Sequence, residues 1–138
     1  MPIKNYTTKI DVHKTLGEIH GMLASHGARK VMFDYDESGE ISAICFSIMT
    51  SLGERGIKLP ANVDAAWLVL QKQNVKCDRE QAARVAWRII KDWVDAQMAI
   101  LETEMVQMDE VFLPYLISNR EGNTLYQMYQ SNQLLLEE

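Results

Sequence analysis

Residues 29–49 read RKVMFDYDESGEISAICFSIM, and they decide the fold. Val31, Phe33 and Tyr35 alternate with other residues in the first part, and Ile44, Phe46 and Ile48 in the last, where Ser42 is the polar member of the series. A period of two sets each group on one face of a strand. Between them lies DESGE, residues 36–40, with Gly39 at its centre. Acidic and small residues of this kind make tight turns, so the stretch predicts an antiparallel hairpin. A looser turn at Ser51–Gly53 leads to a third strand over Glu54–Leu59. Pro60 ends it, because proline has no amide to give a ladder. Residues 3–10, IKNYTTKI, alternate weakly and predict a short edge strand.

Helices flank this sheet. Asp11 reads as an N-cap, since its carboxylate can accept from the free amides of a first turn. Val12, Leu16, Ile19 and Leu23 then recur on one helical face, and Gly27 closes the helix. Pro60 or Asn62 opens a second helix through Asp64–Gln73, with Val63, Trp67 and Leu70 on one side. Asp78 begins the longest one, at capping-box spacing from Gln81. Its stripe of Ala82, Val85, Ala86, Ile89, Ile90 and Trp93 continues as Val94, Met98, Leu101, Met105, Met108 and Phe112, at steps of 4, 3, 4, 3 and 4. Pro114 ends it. A helix over about 78–112 would be roughly 50 Å long, more than a globule of this size is wide. Either it breaks near Ala96–Gln97, or its far half packs on another chain. Val94, Met98, Leu101, Met105, Met108 and Phe112 are thus the expected seam of a homodimer or higher homo-oligomer. Asn123 starts a short last helix, followed by the tail LLLEE.

The fold class is therefore α+β: a small antiparallel sheet of three to four strands backed by helices, with a long helix and a short last one. Residues 1–76 form the sheet region. Residues 77–138 form a helical region packed on it, the two making one structural unit.

Apolar residues are 47% of the chain and charged residues 24%, which is globular and not disordered composition. A chain of 138 residues buries about two-thirds of its unfolded surface, enough to fold without metal or disulfide. Cys45 and Cys77 have no CxxC or Cys-His spacing, which argues against structural zinc. The stretch MPIKNYTTKI lacks the apolar core of a secretory signal, and no run is long enough to cross a membrane. The expected location is the cytoplasm.

Charge is unevenly spread. Residues 1–91 carry 13 basic and 10 acidic groups, while residues 92–138 carry one base, Arg120, and nine acids, giving a net of −5 overall. That sign excludes a uniformly basic nucleic-acid coat protein. Arg84, Arg88 and Lys91 share one helix face, and Asp95, Glu102 and Asp109 mark the acidic half. Three arrangements account for this. The helix faces are simply solvated; or Arg29, Lys30, Arg55, Lys58, Arg84, Arg88 and Lys91 form a surface for phosphates; or antiparallel copies of the helix pair their opposite charges. Trp87 sits between Arg84 and Arg88, off the main stripe. Packing ranks first for it, but an exposed tryptophan flanked by arginines also suits a nucleotide or a partner.

Catalytic chemistry is thin. His13, His20 and His26 have no i, i+4 pair, and the glycines form no phosphate-binding loop. Asp34, Asp36, Glu37 and Glu40 occupy a hairpin tip, where carboxylates serve the turn. No catalytic residue, metal ligand or cofactor is assigned, and the chain reads as a non-enzyme.

HGARKVMFDYDESGEI, GIKLPANVDAAWLVLQKQ and DREQAARVAWRIIKDWVDAQMAILETEMVQMDEVFLPYL resemble a family of small uncharacterised proteins of bacteriophages and mobile elements of Gram-positive bacteria. The resemblance implies a phage-encoded protein acting in the host cell cytoplasm, and no activity that can be carried over. The order helix, three strands, helix over 11–73 is also similar to a double-stranded-RNA-binding domain. The basic start of that family's second helix is missing here, where PANVDAAW stands. Two functions are expected. The first is a non-enzymatic binding protein for nucleic acid or a nucleotide, held by Arg55, Lys58, Arg84, Trp87, Arg88 and Lys91. The second is a protein-binding inhibitor of a host defence or replication protein, using the acidic half and the apolar helix seam. A sponge for a nucleotide signal lies between them.

Overall fold

The computed structural model describes residues 1–131; the LLLEE tail falls outside the described residues. The elements are α1 (Val12–Ser25), β1 (Arg29–Tyr35), β2 (Ile41–Thr50), β3 (Gly53–Pro60), α2 (Val63–Lys72), α3 (Arg79–Glu102), α4 (Met108–Phe112) and α5 (Leu125–Gln130), with a 3-10 turn at Leu113–Tyr115 between the last two. The fold is α+β, with an antiparallel three-stranded sheet in the order β1-β2-β3.

Three expected helix starts carry their caps, and the last helix is capped by Thr124, one residue after the expected Asn123. Asp11 accepts from the His13 amide at 3.0 Å, Asn62 from Ala65 at 2.9 Å and Asp78 from Gln81 at 2.8 Å. Gly27 follows α1 at φ +97°, a left-handed conformation that costs glycine nothing. At the hairpin tip, Asp36 accepts from the amides of Ser38 at 2.9 Å and Glu40 at 3.0 Å, and Gly39 takes φ +87°. The Ser38 hydroxyl, which also donates to it, and these amides hold the Asp36 carboxyl below its ordinary value.

The sheet presents Ile44, Phe46, Ile48, Ile57 and Leu59 to the helices, all buried, with Phe46 opposite Ile57 and Ile44 opposite Leu59. Leu16, Ile19 and Leu23 of α1 and Trp87, Val94 and Met98 of α3 complete this core. The other side of α3 meets α2 in a second cluster of Leu70, Ala82 and Val85. α3 is therefore the central helix, sharing one face with α1 and another with α2.

Three expectations need correction. Residues 3–10 form no strand. Asn5 takes φ +66° and accepts from the Thr8 amide, and the segment straps across the helices. The Ile3 amide donates to Gln73 Oε1 at 2.8 Å, the Asn5 side-chain amide donates to Asp92 Oδ2 at 2.9 Å, and Gln81 Nε2 donates to the Thr8 carbonyl at 2.8 Å. Second, Tyr35 does not share the burial of Val31 and Phe33: past a register shift between Asp34 and Tyr35 it stands opposite Ile41 at the rim of the helix-facing side, 60% exposed.

Third, the long helix stops at Glu102 and the chain folds back. Thr103 and Glu104 donate their amides to Ile100 and Leu101, and Glu104 takes φ +62°. Glu110 then accepts from the Gln107 amide at 3.3 Å as α4 begins. The reversal carries Phe112 onto the sheet. Its ring packs edge-on to Phe46 at 5.3 Å and to Trp93 at 5.7 Å, and it is fully buried. A left-handed residue with a side chain costs about 1–3 kcal/mol, while removing a buried phenylalanine costs about 3–5 kcal/mol. The fold-back is thus favourable. It consumes most of the expected seam: Val94, Met98 and Phe112 are buried in the chain's own core, and Leu101 and Met108 pack against it. Met105 stands out, 70% exposed.

The Phe112→Ala substitution is expected to destabilise the protein by about 3–5 kcal/mol in denaturant unfolding. A loss below about 1 kcal/mol would place Phe112 outside the core.

Candidate functional site

The basic residues do not form one surface. Arg88 leaves α3 toward α1, where its guanidinium pairs with the Glu18 carboxylate and reaches Thr15 Oγ1 at 3.4 Å. Its side chain is 13% exposed, so the pair ties two helices together. Lys91 lies 3.9 Å from both Asp92 and Asp95. Lys58 lies 3.7 Å from Asp34, and Lys30 lies 2.9 Å from Glu54. Arg79 pairs with Asp64. Arg55 is exposed at the start of β3, donating to the Glu54 carbonyl at 3.1 Å. Trp87 is fully buried in the core, so it offers no face for stacking. Its position off the stripe points it at the sheet and not at solvent, because the core of this central helix is wider than one seam.

Arg84 differs from these. Its Nε donates to Gln81 Oε1 at 2.8 Å, and it borders a cleft of about 390 Å³ above Trp87. The start of α1 contributes Asp11 and His13, the hairpin Tyr35 and Glu40, and the first turn of α3 Glu80. The structure therefore unites Arg84 and Trp87 at one cleft and sends Arg55, Lys58, Arg88 and Lys91 elsewhere. With three carboxylates beside one guanidinium, the cleft is mixed in charge.

Among the described residues, the geometry assembles neither an activated cysteine nor a metal centre. Cys45 lies on the sheet face away from the helices and donates to Asp34 Oδ2 at 3.6 Å. Burial, then the Asp34 charge and that hydrogen bond, push its thiol up to about 11, with Lys58 opposing. It is held protonated, the reverse of an activated thiolate. Among the described residues, no three His, Cys, Asp or Glu side chains are placed to hold a metal ion. At the hairpin tip, Asp36 serves the turn while Asp34 faces Cys45 and Lys58. His26 links the ends of α1 and α3, with Nδ1 donating to the Met22 carbonyl at 2.8 Å and Nε2 lying 3.1 Å from Glu102. Asp92 is partly desolvated, which works to raise its carboxyl, but hydrogen bonds from Asn5 and Lys4 outweigh burial and hold it low.

A different surface stands out at the C-terminal end. Leu113, Pro114, Leu125, Tyr126 and Tyr129 line a wholly apolar hollow of about 210 Å³. The chain builds it by adding to the sheet. Ile117 donates to the Gly56 carbonyl at 2.8 Å, and Leu125 to Leu116 at 2.8 Å. A Cβ on Gly56 would stand 3.3 Å from Ile117 Cδ1, so glycine there permits the close approach. Thr124 and Gln127 then cap α5 reciprocally, at 2.8 and 3.2 Å. Leu113, Tyr126 and Tyr129 remain 48%, 52% and 56% exposed. Residues 102–130, which make this end, hold five carboxylates and one base. Sequence reading missed the hollow because its two halves lie on separate elements. The signal present is the pair Tyr126 and Tyr129, three apart on one turn.

No helix among the described residues is long and apolar enough to cross a membrane. The Glu18→Gln substitution strands the Arg88 guanidinium at the α1–α3 contact. It is expected to cost about 1–3 kcal/mol in unfolding experiments, between exposed and buried pairs. No measurable loss would mean that Arg88 is free for a ligand. No family model matches this chain, and no curated protein or solved structure matches it.

Proposed function

We propose that this chain is a non-enzymatic binding protein whose partner is another protein, of the inhibitor type that suits a phage-encoded product acting on a host system. The observation that carries this reading is the exposed apolar hollow of Leu113, Pro114, Leu125, Tyr126 and Tyr129 on the acidic end of the chain. Tyrosines supply large contact area at little entropic cost, and they dominate hot spots. The partner has an apolar side chain for the hollow and basic residues around it, the charge that this end complements. A photo-crosslinking residue at position 126, introduced in host cells, identifies the partner, and titration of the purified pair measures affinity. Tyr126→Ala is expected to weaken binding at least about tenfold, while Arg84→Glu leaves it unchanged. A partner that binds the Tyr126→Ala variant as tightly as the parent would refute the assignment.

A second reading keeps the anionic ligand. Arg84 borders the 390 Å³ cleft and, among the described residues, is hydrogen-bonded through Nε only to a neutral side chain. It ranks second because Asp11, Glu40 and Glu80 share that cleft. A nucleotide or short single-stranded oligonucleotide bound there should be lost in Arg84→Glu, with affinity falling steeply as salt rises. Absence of binding at low salt removes this reading.

A further inference from the structure

The reversal after α3 contains no helix-breaking residue. Residues 103–107 read TEMVQ, with neither glycine nor proline, and each of these side chains is tolerated inside a helix. Met98, Leu101, Met105, Met108 and Phe112 keep steps of 3, 4, 3 and 4 straight through the break. Among the described residues, the hydrogen bonds of 103–107 stay within 100–111. The reversal is therefore imposed by the docking of Phe112 and the chain behind it. It carries a cost, since Glu104 takes φ +62°, a left-handed conformation for a residue with a Cβ, and Met105 is left 70% exposed.

A straight course relieves that cost. If α3 ran on through Phe112 it would lengthen by about 15 Å, Glu104 would lose its left-handed strain, and residues 103–107 would gain helical hydrogen bonds. In a single chain this leaves a hole beside Phe46 and Trp93, which disfavours a straight monomer. The same segment of a second copy fills that hole, because it remakes every contact that the fold-back makes. Phe112 packs on Phe46 and Trp93, Tyr115 on Trp93, the Ile117 amide donates to the Gly56 carbonyl, and Leu116 pairs with Ile57. Two straight chains that trade segments leave neither hole open, so a reciprocal exchange closes at two copies.

We propose that residues 103–107 are a hinge through which the segment from Met108 onward exchanges between two copies, converting the folded-back monomer into a domain-swapped homodimer. Leu113, Pro114, Leu125, Tyr126 and Tyr129 all lie in the exchanged segment, so the apolar hollow travels intact and the dimer offers it twice. The exchange does not depend on what the hollow binds. To test it, the whole chain is unfolded, refolded at low and at high concentration, and separated by size. Monomer is expected at low concentration and a dimer at high. In dimers refolded from a mixture of labelled and unlabelled chains, cross-relaxation should link Phe46 of one chain to Phe112 of the other, whereas the monomer links them within one chain. Glu104→Gly frees the left-handed conformation of strain and weakens the straight helix, at both hinges of a dimer. It is expected to lower the dimer association constant at least about tenfold. Glu104 is exposed, and an unfolding midpoint close to the parent's confirms that the variant folds. Monomer at every refolding concentration overturns the proposal. So does a dimer whose Phe46–Phe112 contacts stay within each chain, or one that Glu104→Gly leaves as tight as the parent.

Discussion

The edge-on contact of Phe112 with Phe46 and Trp93 is the constraint on which the rest of the chain depends. Phe46 is the middle of the central strand, Trp93 belongs to the long helix, and Phe112 arrives after the reversal. The contact therefore locks three distant parts of the chain in one place. Trp93 also meets Tyr115 at 5.9 Å, so the aromatic cluster carries on into the turn that follows. From there the chain runs to the outer side of β3, where Leu116 pairs with Ile57. The hairpin to Thr124 and the apolar hollow are consequences of that arrival point.

α3 serves as the support for this arrangement. One face holds α1 and the sheet, and another holds α2. The polar ties along it are used up by the fold itself: Arg88 with Glu18, Asp92 with Asn5 and Lys4, Glu102 with His26. Of the side chains that suggest phosphate recognition in one dimension, Arg88, Lys91 and Lys58 thus face carboxylates in three, while Arg84 and Arg55 do not. The C-terminal end, by contrast, presents an apolar and aromatic surface.

Much of the fold was legible because its signals are local. The alternation over 31–35 and 44–48, the turn at 36–40, and the caps Asp11, Asn62 and Asp78 each depend on a few neighbouring residues. The break after Glu102 was not legible, because Met108 and Phe112 keep the spacing of the stripe whether the helix continues or folds back. Periodicity records which residues seek burial and not which chain buries them. Trp87 was ambiguous for a related reason, since a central helix has a wider apolar face than one seam. The strap at residues 3–10 depends on Gln73, Gln81 and Asp92, some 70 or more positions away, so its alternation was read as a strand. The hollow needed Leu113 and Tyr126 to meet, and nothing in their sequence separation announces that.

The fold-back is tested most directly by nuclear magnetic resonance of the whole chain. Backbone chemical shifts over residues 98–112 should leave helical values at Thr103–Gln107 and return to them at Met108. Cross-relaxation should link the rings of Phe112 and Phe46 within one chain, established with a mixture of labelled and unlabelled protein. Unbroken helical shifts through Phe112, or a Phe46–Phe112 contact found only between chains, would contradict the fold-back and return Val94–Phe112 to an intermolecular seam.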